Sequence, residues 1–374
     1  MKIVQRSCNG DISYPFSHSK EQILFFDIET TGFSPKTSAL YLIGVLYYQN
    51  DQWHTLQWFA DDSKSEKELL ISFFAFLKNY SCIIHFNGSG FDIPYLEKKC
   101  IQHELTGSDY TFSHVESMDL YKRITPCKKR LLLENCKQKT VEHFLHIYRK
   151  DPYTGGELIR FYQHYRKQNE PNTKEAHQTE EILLLHNYED LAGMLQFSNT
   201  ILYLTDLLNG TLSLEDIRAW EEDGCLLFTA TLPFSLNSSY HWKCEDALLG
   251  IKQTSLTLIL PIYHCELRHF YSNYKDYYYL PEEDTAIHKS VAVYVDKSFR
   301  QKAKKENCYT RQEGSFIPVY TDALGAYFQE TFSSSQHFLL LDENFFTQKE
   351  SLQLYLQTFL KNRSDLLLAK DPTL

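Results

Sequence analysis

One short segment constrains this chain more than any other: residues 23–32, ILFFDIETTG. An apolar and aromatic run that meets Thr30, Thr31 and Gly32 reads as a buried strand stopped by a turn. Residues 39–48 and 53–60 read as a second and third strand, joined by a hairpin through Gln49, Asn50 and Asp51. Residues 64–79 carry apolar residues at helical spacing with acids early in the run, which predicts a helix. Residues 82–86 predict another short buried strand, 87–90 a loop, and Asp92 the start of a helix. Strands and helices in this order predict an α/β sheet covered by helices. Further helices are expected over 141–147, 157–167 and 175–206. After Asn209 and Gly210 the pattern changes. Strands are expected at 226–232 and 254–263, a basic helical stretch at 297–305, and a terminal amphipathic helix at 349–361.

With 374 residues the chain has room for two domains of roughly 100–200 residues each. The expected division is an extension over 1–20, a domain over 21–206 and a smaller α+β domain over 212–374 whose fold and role the sequence leaves open. Apolar residues at 43% and charged residues at 23% exclude a disordered chain. No uncharged apolar run reaches the ~20 residues of a membrane span, and the first residues hold no stretch fit for a signal peptide. Nine cysteines without CxxC pairs argue against a disulfide scaffold or zinc finger and for a reduced, cytoplasmic setting. The net charge of −10 means that a nucleic-acid partner needs a local basic patch. Residues 98–167 supply one, with 14 Lys or Arg against 8 Asp or Glu, including Lys122, Arg123, Lys128, Lys129 and Arg130. Alone, such a run is more often a solvated face than a phosphate contact; beside a metal-carboxylate site the two readings are even.

Three carboxylate patterns carry chemistry. Asp27 and Glu29 stand two apart on the first strand, so both point to one face. Two adjacent anions are costly unless a cation lies between them, and hard oxygen ligands suit Mg²⁺ or Mn²⁺. Taken alone, such a pair is more often a solvated strand end. Asp92 follows HFNGSGF; it is either a helix N-cap or a ligand at the sheet edge where α/β proteins build their sites. His186 and Asp190 stand four apart in the longest helix and share a face, as many surface hydrogen-bonded pairs do. Tyr188, two residues from Asp190, points elsewhere.

Together these residues resemble the DEDD family of 3′–5′ exonucleases, which share a ribonuclease H-like fold. FFDIETTG resembles the family's first motif, NGSGFDIPYL the second, and HNYED the third in position and in its four-residue step. MDLYKRI at 118–124 and HIYRKDPYTGGELIRFYQHYRK at 146–167 narrow the likeness to the YprB-like branch. It covers roughly residues 20–206. The resemblance implies a mixed sheet flanked by helices and metal-dependent hydrolysis of phosphodiester bonds with two ions, Mg²⁺ or Mn²⁺. The implied substrate is a DNA or RNA strand, a single-stranded 3′ end favoured. It implies that Asp27, Asp92 and Asp190 hold the metals, with Glu29 at the edge of the site touching a metal or its water. His186 stands at the spacing where some members carry tyrosine. It is the favoured group for deprotonating water, with Tyr188 the second choice. Thr30, Asn87 and Phe91 are expected near the 3′ end or shaping its loop, and Phe91 is equally a core anchor. Lys128, Lys129 and Arg130 are expected on phosphates. Asp119 is a supporting acid or a turn residue. Tyr277, Tyr278 and Tyr279 stack single-stranded bases or, more commonly, fill a β-rich core. The competing readings are a non-catalytic nucleic-acid-binding or scaffold protein on the same fold, and an interaction protein whose active part is the second domain.

Overall fold

The computed structural model describes residues 1–62, 64–167, 173–236 and 238–369, so parts of the expected domain spans, 370–374 among them, lie outside the described residues. The chain forms two compact units, one of residues 1–128 and 133–205, the other of 129–132 and 206–374.

The first unit is built on a six-stranded mixed sheet in the order β1-β4-β3-β2-β5-β6. Its strands are β1 (Lys2–Cys8), β2 (Ile23–Thr30), β3 (Leu40–Gln49), β4 (Gln52–Phe59), β5 (Cys82–His85) and β6 (Glu116–Asp119). The first 20 residues, expected as an extension, thus carry the edge strand, which pairs antiparallel with β4 from Lys2 opposite Phe59 to Cys8 opposite Trp53. The expected hairpin joins β3 and β4. Asn50 at φ 51° and Asp51 at φ 58° both occupy the left-handed region, as a two-residue turn matching strand twist requires. β2, β5 and β6 run parallel, so their carboxyl ends share one edge of the sheet.

Helices cover the sheet: α1 (Glu66–Leu77), α2 (Asp92–Gln102), α3 (Leu120–Ile124), α4 (Gln138–Phe144), α5 (Gly155–Lys167) and α6 (Lys174–Leu208). α1 turns Leu69, Leu70, Phe73, Phe74 and Leu77 inward, the spacing of one helical face. Phe26 of β2 meets Phe73 at 5.6 Å and Phe112 at 5.8 Å. Each such fully buried ring contributes about 2–3 kcal/mol. Tyr41 of β3 stacks on Tyr162 of α5 at 4.1 Å, which fixes the helix that follows the basic loop.

The second unit is rich in sheet. One six-stranded sheet has an inner face of Leu226, Phe228, Leu249, Ile251, Leu256 and Leu258, all buried. The terminal helix (Lys349–Asn362) sets Tyr355 against Phe228 at 5.3 Å with the rings parallel. Arg130 belongs to this unit and is 5% exposed. Its Nη1 donates to the carbonyls of Leu208 and Leu360, the latter at 2.8 Å. This corrects the expectation that Arg130 contacts phosphate. A left-handed turn at Leu132, φ 51°, closes the segment, and the third cation of the basic run faces inward while Lys128 and Lys129 stay exposed. Arg130→Ala should therefore cost about 3 kcal/mol by stranding two buried carbonyls. Urea unfolding measures it; a loss under 1 kcal/mol contradicts the structural role.

The stretch 297–305 is not the helix expected. Asp296 caps a single 3-10 turn, Lys297–Phe299, and the chain then enters a short strand, Gln301–Lys302. Charged residues at helical spacing carry no apolar stripe here, so nothing drives a longer helix into a core.

Candidate active site

Period two in β2 sends Asp27 and Glu29 to one side of the strand and Ile28 to the buried side. The parallel strand β5 ends beside them and leads through 87–91 into α2, whose first residue is Asp92. The loop between is held by Asp119 at the end of β6. Its Oδ1 accepts the amides of Asn87 at 2.9 Å and Tyr121 at 3.1 Å, and its Oδ2 that of Ser89 at 3.3 Å. Asn87 takes φ 62°, a conformation asparagine tolerates, and Gly90 donates to its carbonyl at 2.9 Å. Asp119 thus holds the turn and shapes the loop that delivers Asp92. His85, the last residue of β5, is fixed between the Gly88 amide and Ser117, and burial lowers its pKa to about 4.

The third element is α6. His186 and Asp190 share its site-facing side, with Nε2 of His186 3.3 Å from Asp190 and 3.7 Å from Glu29. One ligand atom each from Glu29, His186 and Asp190 all lie within 4.8 Å of one another. Tyr188 lies elsewhere on the helix, its ring under the guanidinium of Arg6 at 5.8 Å.

Three further residues complete the arrangement. Asn187 is fully buried and donates through Nδ2 to Asp27 Oδ2 at 2.8 Å, while its Oδ1 accepts from Gln57 at 2.8 Å. The approach depends on Gly44 in β3, because a Cβ there would stand 1.9 Å from the Asn187 Oδ1. Asp151, in the loop between α4 and α5, bonds Nδ1 of His186 through Oδ2 at 2.5 Å. Lys139 holds that same oxygen at 3.1 Å, and Glu189 receives the amides of Lys150 and Asp151. Arg149 places Nη1 2.7 Å from Asp190 Oδ1 and grips buried Glu142 with its other nitrogens. The basic stretch RKDPYTGG hints at Arg149 and Asp151 in the sequence, whereas nothing in HNYED singles out Asn187.

The remaining expected contacts are placed as follows. Thr30 donates its hydroxyl to the Gly32 carbonyl at 2.9 Å and so braces the turn after β2. Phe91 is half-buried, packed edge-on to exposed Phe33 at 6.0 Å and against Tyr95 at 5.4 Å.

Electrostatics mark this cluster as one that wants a cation. Burial, then Asp190, Glu29 and Asp92, push the Asp27 carboxyl far above its ordinary range. Burial chiefly raises Glu29 to about 7, with the charge of His186 opposing, and burial raises Asp92 to about 7. Asp151 goes the other way: burial raises it, but the Tyr153 amide, His186 and Lys139 more than offset this and hold it below the usual carboxylate range. Buried carboxylates that repel one another, with one imidazole at hand, form a donor set that fits a hard divalent cation.

The sign of the resulting pH dependence follows. Folded Glu29 and Asp92 hold protons up to about pH 7, and Asp27 is shifted upward in the same sense, whereas the unfolded chain releases these protons near pH 4. Their contribution to stability is full below about pH 4 and is lost as pH rises toward 7. The melting temperature in EDTA should fall between about pH 5 and 7.5, and Mn²⁺ should restore more at the higher pH. A flat profile in EDTA contradicts the burial of these acids.

Residues 24–201 match the family model of the RNase_H superfamily. The fold of the first unit is ribonuclease H-like, a six-stranded mixed sheet flanked by helices. Among solved structures, the family B DNA polymerase of the hyperthermophilic archaeon Pyrobaculum calidifontis is similar at 13% identity and a TM-score of 0.39, over 68% of this chain and 35% of the polymerase. Exonuclease I of E. coli in complex with a dT13 oligonucleotide is similar at 10% identity and a TM-score of 0.27, over 62% of this chain and 55% of that one. The chain therefore spans only 35% of the polymerase and about half of exonuclease I. No curated protein matches the sequence. A ribonuclease H-like fold with a buried carboxylate cluster at its sheet edge supports a nuclease. No helix among the described residues is long and apolar enough to cross a membrane.

Proposed function

We propose that the first unit is a 3′–5′ exonuclease that hydrolyses single-stranded DNA or RNA ends with two divalent cations, Mg²⁺ or Mn²⁺. Asp27, Glu29, Asp92 and Asp190 are the residues that would hold them. The observation that carries this reading is the gathering of these mutually repelling carboxylates from β2, α2 and α6, with Glu29 at 3.7 Å and Asp190 at 3.3 Å from the buried His186 Nε2. The family resemblance of the three motifs supports the 3′–5′ polarity.

Divalent cations, when bound, supply Lewis acidity toward the phosphate and an activated water. The residues of this chain do the rest. Asp151, ionised, holds the Nδ1 proton of His186 and leaves the Nε2 lone pair free for the proton of the attacking water. It then stabilises the imidazolium that forms. Asn187 fixes the Asp27 carboxylate so that its other oxygen is presented to the site. Arg149 balances part of the charge on Asp190. Phe91, Thr30 and Asn87 line or brace the loops beside the 3′ end, and Lys128 of the same unit offers charge to phosphates.

Mn²⁺ titration of the intact protein, followed by melting, tests the reading. Saturation at 100 times Kd should add about 2.7 kcal/mol. A strand bearing a 3′-terminal block should resist degradation, while a 5′ block should not protect. Absence of any Mn²⁺ stabilisation favours a non-catalytic scaffold and overturns the proposal.

A further inference from the structure

The second unit carries a basic and aromatic surface that the catalytic reading does not use. Residues 289–305, KSVAVYVDKSFRQKAKK, hold six Lys or Arg against one Asp, in a chain of net charge −10. They frame a small sheet. Strand Tyr277–Leu280 pairs on one side with Thr285–His288 and on the other with Gln301–Lys302, Tyr278 standing opposite Lys302. Arg300 sits over the ring of Tyr278, its Cζ 4.9 Å from the centroid, and donates to the Ala292 carbonyl. That contact pins the segment to the sheet, so its exposure is built rather than frayed.

What it displays is unusual for a free surface. Tyr294 is 89% exposed, Val293 64%, Val291 56% and Phe299 51%. Lys297, Lys302, Lys304 and Lys305 are exposed around them. Asp276, just before Tyr277, pairs with Lys289 at 3.6 Å and so takes up one cation of the segment, while the acidic run of this sheet lies apart. Glu282, Glu283 and Asp284 form the turn after Leu280, whereas the basic segment leaves from His288, opposite Tyr277, about 10 Å along the hairpin. Asp284 is moreover occupied by the hydroxyls of Tyr279, at 2.6 Å, and Tyr309. Tyr277 stacks on Tyr271 at 4.5 Å, so the tyrosine run itself serves the core and its rim, and the free aromatic faces are Tyr294 and Phe299.

We infer that this surface binds single-stranded nucleic acid, with Lys297, Lys302, Lys304 and Lys305 on phosphates and Tyr294 and Phe299 stacking on unpaired bases. Interleaved cations and exposed rings suit a strand whose bases are free to stack, and they need no base sequence. An anionic bilayer offers the same charge, but its extended plane also faces the rest of a chain with net charge −10, whereas one strand meets only the patch. The choice of a nucleic acid as occupant rests on the nuclease reading of the first unit.

The test is fluorescence anisotropy of the full chain with an end-labelled oligothymidylate of about 20 nucleotides, in EDTA and at several salt concentrations. One variant replaces the four lysines by Gln, a second combines Tyr294→Ala with Phe299→Ala; all six side chains are exposed, and unchanged melting confirms the fold. The lysine variant should lose at least about tenfold in affinity, its slope of log K against log salt falling by about 0.7 for each phosphate contact removed. The aromatic variant should bind about 5- to 100-fold more weakly with the slope unchanged. Wild-type affinity and slope in both variants overturn the inference. So does unchanged DNA binding with lost sedimentation on phosphatidylserine vesicles, which assigns the surface to membranes. If the wild type binds the strand through this surface yet never cleaves it with Mn²⁺, the nuclease reading fails and this inference stands.

Discussion

Asp27→Asn should abolish cleavage and leave the fold intact. The carboxylate lies in the site on a strand whose core contacts are made by its neighbours, Phe26 and Ile28. Asparagine has the same shape, and its carbonyl oxygen still accepts the Asn187 Nδ2 that now reaches Asp27 Oδ2 at 2.8 Å. The substitution removes one of several buried charges that raise one another's pKa, so the melting temperature in EDTA should stay level or rise. Stabilisation by Mn²⁺ should shrink sharply. Loss of a residue that only supports a ligand costs about 10–100-fold in activity, and loss of the ligand itself should exceed about 10³-fold. Asp92→Asn should behave in the same way, with a smaller gain in EDTA because its N-terminal position on α2 already stabilises negative charge. Near-normal turnover by either folded variant contradicts the assignment.

His186→Ala should lower turnover by about 10²–10⁴-fold, the usual worth of a positioned general base, while Mn²⁺ still stabilises the protein. Asp151→Asn should reproduce a large part of that loss, since an amide can no longer hold the Nδ1 proton as an ionised carboxylate does. The two losses should not add, because both residues act on one proton. Tyr188→Phe should be close to wild type, its ring resting by Arg6 rather than among the carboxylates. A crippled tyrosine variant beside an active histidine variant contradicts the orientation of α6. Pre-steady-state turnover of a labelled strand across the four variants separates these outcomes.

The residues that were legible in the sequence owe it to periodicity. Asp27 and Glu29 ride an apolar run whose period of two decides their common face, and Asp190 follows His186 by one helical turn. Asp92 was legible because a short buried strand, a glycine-rich loop and a helix start put it at the sheet edge. Loops defeat this reasoning. Asp151 and Arg149 sit in an irregular segment 35 and 41 residues from the partners they reach, His186 and Asp190, and no period says where such side chains point. Asn187 was invisible for another reason. Its role exists only because Gly44, distant in sequence, lets α6 approach β3 closely enough for an amide to touch Asp27. Lys128, Lys129 and Arg130 look alike as a run, and one left-handed residue at 132 helps separate two surface cations from a buried structural one. The edge strand Lys2–Cys8 escaped because two of its three exposed positions, Gln5 and Ser7, are polar and its neighbour in the sheet, β4, lies about 50 residues away in sequence.

The most direct measurement is the degradation of 5′-labelled single-stranded DNA and RNA by the intact protein, with Mn²⁺ or EDTA. A carboxylate-held cation centre with His186 as base predicts a ladder of labelled products shortening stepwise from the 3′ end. The ladder should require Mn²⁺ and should be absent with Asp27→Asn. Strands left whole by a protein that Mn²⁺ demonstrably stabilises, or a ladder that persists in the Asp27→Asn protein, would contradict it.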